Sequence, residues 1–325
     1  MTPEHAGIIV AGLTRRFGDL VAVDGLSLSV PPGSIYGLCG PDGAGKSSTL
    51  RCLAGVLSFN AGTATLAGLD LTTEGEAIKA HLGYMPQRFS LYQELTVTEN
   101  LRFFADLYQV RGAAREQRLQ ELLRFSRLEG HTGKQAQQLS GGMKQKLALS
   151  CNLIHTPKVL LLDEPTTGVD PLSRREFWRI LLHLREQGVA ILVSTPYMDE
   201  ADRCDVVGFI SAGRLVLEGA PAALKADLPW QVLQVEAAPV FAAKARLEQV
   251  PGVQSAIIHG DRVHLAVPDA AALLPAVREA LAEDFTCENL RRVEPSLEDV
   301  FVARLGTAAS VAAQVTGGKA GGRRG

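Results

Sequence analysis

The stretch that decides the fold is Ser34-Ile35-Tyr36-Gly37-Leu38-Cys39-Gly40-Pro41-Asp42-Gly43-Ala44-Gly45-Lys46-Ser47. Its first six residues read as a short apolar strand, and the remainder matches G-x-x-x-x-G-K-[ST] at the point where a helix begins, with Ser48 as its next residue. Gly40, Gly43 and Gly45 free the backbone so that successive N–H groups, with Pro41, Asp42 and Ala44 between them, turn toward phosphate oxygens. The helix N-terminus adds partial positive charge, Lys46 reaches the β- and γ-phosphates, and Ser47 can hold Mg²⁺. A plain glycine-rich turn with an exposed lysine would need neither the strand before it nor the helix after it.

Outward from that loop, Val159-Leu160-Leu161-Leu162-Asp163-Glu164 is a buried strand ending in two acids. Alone, such an ending also suits a surface salt bridge. Beside a phosphate loop, Asp163 reads as a Mg²⁺ holder through water and Glu164 as the base for a water attacking the γ-phosphate. The chain of 325 residues suits two domains, or a large and a small one. A net charge of −2 excludes a global grip on nucleic acid or an anionic membrane, so no nucleic acid is expected as a partner and any polyanion must be held locally. No apolar run approaches the roughly 20 residues of a membrane span. The N-terminus has no secretory pattern, and five scattered cysteines, Cys39, Cys52, Cys151, Cys204 and Cys287, suggest reduced, mostly buried thiols in the cytosol.

Short apolar runs alternate with turns from Gly7 to about Gly83 and again from Pro157 to about Gly219, which predicts a parallel or mixed sheet covered by helices. A helical insertion, residues 88–156, divides this α/β core. Within it Leu101, Phe104, Leu107 and Tyr108 are expected on one face, and Leu119, Leu122 and Leu123 on another. Residues 1–220 therefore form one domain. Residues 221–305 read as β-α-β-β-α-β, a small ferredoxin-like α+β unit, followed by a closing helix with Ser296 as N-cap, Asp299 three residues on, and a stripe of Leu297, Val300, Phe301 and Leu305. Residues 306–325, glycine-rich and without an acid, read as a flexible tail or a linker.

Leu139-Ser140-Gly141-Gly142-Met143-Lys144-Gln145 lies between Lys46 and Asp163, inside the insertion. As a helix start it needs only Ser140 as N-cap. In that position it resembles the L-S-G-G-Q signature of ATP-binding-cassette (ABC) transporter ATPases, with Met143 in place of glutamine. The resemblance covers roughly residues 7 to 220 and implies a P-loop NTPase cassette, a RecA-like core with a helical insertion. It implies that Phe17 stacks on adenine, although Phe17 also suits a core aromatic beside the Gly18 turn. It further implies that Gln87, otherwise a turn residue, touches Mg²⁺ and the attacking water, and that Asp170, a good N-cap, meets a partner subunit.

The same resemblance makes Pro196, in Ser194-Thr195-Pro196-Tyr197-Met198, the occupant of the switch-histidine position. Proline offers no side-chain donor and no N–H. Two readings stand: Pro196 opens the following helix and Glu164 alone sustains hydrolysis, or this site is slow. Gly40 to Gly43, Gly83 to Tyr92, Met143 and Pro295 to Phe301 are most similar to bacterial drug- and antibiotic-exporting ATPases, especially the first ATPase domain of tandem multidrug exporters. The implied protein is an ATP- and Mg²⁺-dependent motor at the cytoplasmic face of the membrane. Two cassettes, as a homo- or heterodimer, would sandwich ATP between one phosphate loop and the other's Ser140, Gly141 and Gly142, and integral membrane permease subunits would dock near Phe89, Leu91, Tyr92, Leu95 and Phe103. Two other functions are weighed. A mechanical ATPase on ribosomes or DNA calls for a coiled coil or a second cassette, whereas an assembly subunit that senses ATP without hydrolysing it is made credible by Pro196.

Overall fold

The computed structural model describes residues 7–88, 91–282 and 284–304. Phe89, Leu305 and residues 306–325, for which a docking role, an apolar contact and a tail are expected, lie outside them. The chain divides into two compact units, at Glu218 and Gly219.

In the first unit the chain runs β1 (Ile8–Phe17), β2 (Leu20–Val30), β3 (Ile35–Cys39), α1 (Lys46–Leu53), β4 (Ala61–Leu66), β5 (Leu69–Asp70), α2 (Gly75–Ile78) and β6 (Leu82–Met85). The insertion follows as α3 (Val97–Leu107), α4 (Gly112–Ser126), two 3₁₀ turns (Glu129–His131 and Ala136–Gln138) and α5 (Gly141–Leu153). The core then resumes with β7 (Val159–Asp163), α6 (Pro171–Glu186), β8 (Ala190–Thr195), α7 (Met198–Ala201), β9 (Val206–Ser211) and β10 (Arg214–Gly219).

The mixed texture read from sequence resolves into two sheets. The first is β2-β1-β4-β5, and the second is β10-β9-β3-β8-β7-β6 with β9, β3, β8, β7 and β6 parallel. β7 and β8 are buried at every residue, as strands covered on both faces must be, which explains their unbroken apolar runs. β1 alternates instead, sending Ile8, Val10 and Leu13 into the core together with Leu50 and Leu53 of α1. β3 lies between β9 and β8, so the loop after Cys39 opens at the carboxyl ends of three adjacent strands. That edge is where open α/β sheets bind ligands.

In the insertion, a Thr96–Glu99 capping box starts α3. Its inward face is Val97, Leu101 and Ala105 at four-residue spacing. Leu107, expected on the inner face, is 61% exposed because it ends the helix on the far side. Tyr108 stacks on His155 with ring centroids 3.7 Å apart. Leu119 and Leu122 of α4 are buried as expected and Leu123 is half-buried. Among the described residues no helix is long and apolar enough to cross a membrane. Four cysteines are buried and Cys287 is exposed.

The second unit comprises α8 (Pro221–Ala226), β11 (Gln231–Ala238), α9 (Val240–Leu247), β12 (Ser255–His259), β13 (Arg262–Val267), α10 (Ala270–Leu281), β14 (Thr286–Val293) and a closing helix over residues 297–304, here α11. Its sheet is antiparallel in the order β12-β13-β11-β14. Leu233, Val235, Val263 and Leu265 form one core with Leu247 of α9 and Val277 of α10. The alternate residues Val232, Gln234, His264 and Ala266 turn to the opposite face. α11 starts with a reciprocal capping box, Ser296 Oγ accepting from Asp299 N while Asp299 Oδ2 accepts from Ser296 N.

Candidate functional site

The loop between β3 and α1 takes its shape from glycines. Gly45, at φ 111°, sits where a Cβ would come within 2.3 Å of the Ala22 carbonyl oxygen, so only glycine allows that approach. Lys46 is buried to 4% exposure at the first position of α1, and its ammonium donates to the carbonyls of Gly40 at 2.8 Å and Pro41 at 3.0 Å. Its Nζ also lies 3.8 Å from Glu164 Oε1. Ser47 Oγ donates to Asp163 Oδ1 at 2.9 Å, an oxygen that also accepts from Ser194 Oγ at 2.8 Å. The second oxygen, Asp163 Oδ2, is buried without a hydrogen-bond partner.

Glu164 follows β7 in the left-handed region, at φ 47°, which turns its side chain back over the loop. Its backbone N–H donates to the carbonyl and hydroxyl of Ser194, and its Oε2 accepts from Gln87 Nε2 at 2.8 Å and Thr167 Oγ1 at 3.3 Å. Lys46, Ser47, Gln87, Glu164 and Thr167 line a cleft of about 770 Å³ together with Phe17, Asp42, Gly43, Gly45, Ser48 and Pro196, while Asp163 and Ser194 lie fully buried behind it. Phe17 is 43% exposed, with the Arg15 guanidinium 4.4 Å from its ring centre. Burial pushes the nearby Cys39 thiol up to about 12, which keeps it protonated and inert.

The structure brings Phe17, the phosphate-loop residues, Gln87, Asp163 and Glu164 together. Ser140, Gly141 and Gly142 do not line this cleft. They begin α5, where Ser140 Oγ accepts from Met143 N at 3.4 Å, and Gly142 packs so closely on α6 that a Cβ would lie 2.3 Å from Ser173. Asp170 caps α6 by accepting from Ser173 N at 2.9 Å, a bond that holds its carboxyl below the usual range.

Pro196 precedes the helix rather than opening it: the N-cap of α7 is Tyr197 and its first residue is Met198. The loop carrying Pro196 is fastened by Glu200, 1% exposed, whose Oε1 accepts from Thr166 Oγ1 at 2.6 Å and Arg174 Nε at 2.9 Å while Oε2 accepts from Thr195 Oγ1 at 2.7 Å. Sequence reasoning missed Thr167, Ser194, Arg174 and Glu200. The signal available was the run of Ser and Thr at the ends of β7 and β8, where buried hydroxyls require partners.

Residues 23–167 match the family described as ABC transporter. The chain is 41% identical over 314 residues to the probable multidrug ABC transporter ATP-binding protein YbhF of Escherichia coli (strain K12), covering 94% of this chain and 53% of YbhF, so it spans about half the length of that relative. It is 37% identical to the Nod factor export ATP-binding protein I of Paraburkholderia xenovorans (strain LB400), covering 94% of this chain and 98% of that protein. A solved ATP-binding subunit of an ABC transporter superposes with a TM-score of 0.62 at 30% identity, over 67% of this chain and 92% of its own.

Proposed function

The chain belongs to the ATP-binding subunits of ABC transporters, and on that premise we propose that it binds and hydrolyses ATP to drive export of a drug-like or lipophilic compound. The observation that carries this reading is the convergence of Lys46, Ser47, Gln87 and Glu164 on one cleft at the carboxyl edge of a parallel sheet, with Asp163 bonded to Ser47 behind it. The phosphates lie against the loop N–H groups and the N-terminus of α1, and Lys46 turns from two carbonyls to the β- and γ-phosphates. Phe17 takes the adenine on the ring area that Arg15 leaves exposed.

The donor set fits Mg²⁺: an orphaned carboxylate oxygen on Asp163 beside the Ser47 hydroxyl is an all-oxygen site for a hard cation, and Gln87 lines the same cleft as Ser47. Mg²⁺ neutralises charge on the phosphate oxygens when bound. Glu164 takes the proton of the attacking water, whose oxygen bonds to the γ-phosphorus as the bond to the β–γ bridging oxygen breaks, with that electron pair leaving on ADP. Gln87 and Thr167 hold the Glu164 carboxylate in place.

Ser140, Gly141 and Gly142, being away from this cleft, complete the site of a second cassette in a homo- or heterodimer. The aromatic pair Tyr92 and Phe103, ring centroids 4.4 Å apart and both exposed, forms with Leu107 the docking patch for an integral membrane permease subunit. Docking of that kind would hold the chain at the cytoplasmic face of the membrane. Leu91, by contrast, is buried.

Pro196 lines the cleft with no donor of its own, which supports a slow site. Pro196→His is expected to raise the steady-state ATPase rate about tenfold, less than the full value of a preorganised donor because removing the proline also changes the loop. A rate unchanged within error would count against the slow-site reading.

Residues 221–305 serve regulation or dimer contact rather than nucleotide binding, since each unit closes a core of its own. A chain ending at Gly219 is expected to stay folded by circular dichroism and to bind ATP with unchanged affinity by calorimetry. Loss of either would show that the first unit depends on the second.

A further inference from the structure

In the second unit, His259 at the end of β12 and His264 on β13 sit diagonally across a hairpin on the same face, with ring centroids 4.1 Å apart. Both turn toward Asp299 in the first turn of α11. The outer partners of each ring fix where its proton lies. Gln234 donates its amide nitrogen to Glu236 Oε1 at 3.1 Å, which turns its oxygen to His264 Nε2, 3.4 Å away, and favours a hydrogen on that ring nitrogen. The carboxylate of Glu298 lies 3.2 Å from His259 Nδ1, which assigns the hydrogen of the second ring to Nδ1. What remains on the inner side is the lone pair of His264 Nδ1, 3.1 Å and 3.3 Å from the two oxygens of Asp299, and that of His259 Nε2, buried without a hydrogen-bond partner 3.6 Å from Asp299 Oδ1.

With the hydrogens on those outer nitrogens, two lone pairs face a carboxylate whose Oδ2 already accepts from the Ser296 N–H and hydroxyl, and this arrangement calls for a cation between them. A proton could supply it. The arrangement is also that of a metal centre: the ligand atoms lie within 4.8 Å of one another, against the about 3.3 Å edge of a tetrahedron with bonds near 2.0 Å, so small side-chain rotations suffice. Glu298 and Gln234 then act as the outer acceptors that orient ligating imidazoles. We propose that His259, His264 and Asp299 bind a divalent transition metal, Zn²⁺ by the chemistry of the donors, and that the ion pins α11 to the β12–β13 hairpin. Two imidazoles and one carboxylate select a borderline ion over Mg²⁺ or Ca²⁺, which call for oxygen donors, and leave a fourth position for water.

The test uses the full chain, without nucleotide and after exhaustive chelation, titrated with Zn²⁺ by calorimetry and with Co²⁺ by visible absorption. One equivalent of Zn²⁺ is expected to bind and to raise the unfolding midpoint, and Co²⁺ to give a tetrahedral spectrum lacking intense thiolate bands. His259→Ala, at the partly exposed rim where the fold tolerates truncation, is expected to lower zinc affinity by more than about 100-fold, and Glu298→Gln by about tenfold. Circular dichroism checks that both variants fold. No zinc binding by the folded chain would mean that a proton holds the cluster together and would overturn the proposal. So would affinity unchanged in His259→Ala, or thiolate bands placing the ion on cysteines.

Discussion

Lys46→Ala is expected to weaken Mg-ATP binding by about 10² to 10⁴-fold, measured by calorimetry on the isolated chain. Two charge-assisted bonds to phosphate oxygens are worth about 3 to 6 kcal/mol together, and each 1.4 kcal/mol is a factor of ten. The α1 N-terminus and the loop N–H groups remain, so residual affinity persists. The lost cation also removes the two bonds that tie the loop to Gly40 and Pro41 and leaves the buried Glu164 carboxylate without its nearest positive charge. A lower melting temperature should therefore accompany the loss of binding. Unchanged nucleotide affinity would contradict the assignment of this cleft.

The second large effect is an asymmetry between two halves of one chain. If this cassette pairs with one that keeps its switch histidine, Lys46, Asp163 and Glu164 build the slow site and Ser140, Gly141 and Gly142 complete the fast one. Gly142 is a poor probe, since any side chain there collides with Ser173 inside the same chain. Gly141 is a clean one: the nearest atom to a Cβ is the Gly168 carbonyl oxygen at 3.8 Å. An acid in the first turn of α5 suits the helix dipole and so should not harm the fold. It would face the partner's γ-phosphate, where like charges about 4 Å apart cost about 4 kcal/mol at an effective dielectric of 20. Gly141→Asp is thus expected to cut the ATPase rate of the purified complex by more than about 100-fold, while Glu164→Gln reduces it by less than about half. Abolition of turnover by Glu164→Gln would instead indicate a homodimer of equivalent sites.

The phosphate loop and its acids were legible because each is constrained by more than one requirement at once. Gly45 answers a backbone collision, Lys46 a charge, and β7 a strand buried on both faces. The element order of the second unit was legible for a similar reason: hydrophobic periods of two and of 3.6 residues alternate between clear turns. The inner face of α3 was misjudged at Leu107, because periodicity near a helix end does not say which side the last turn presents. Nor did alternation along the chain divide β1 to β6 between two sheets, since pairing is a long-range choice that local pattern does not encode. Glu200, a buried acid joining residues from Thr166 to Thr195, reads in sequence as one more surface carboxylate. Only the fold gathers its partners.

The polar groups of the cleft also impose a form of competition. The Lys46 ammonium already rests on two carbonyls, the Ser47 hydroxyl on Asp163, and the Gln87 amide on Glu164. The protein is therefore its own first ligand, and a nucleotide must displace bonds rather than fill vacancies, gaining only the difference between the old partners and the new. In return, few side chains have rotamer freedom left to lose on binding. Affinity at such a site is governed by exchange, so a substitution that loosens Gln87 or Ser47 from its present partner could tighten nucleotide binding even as it removes a contact.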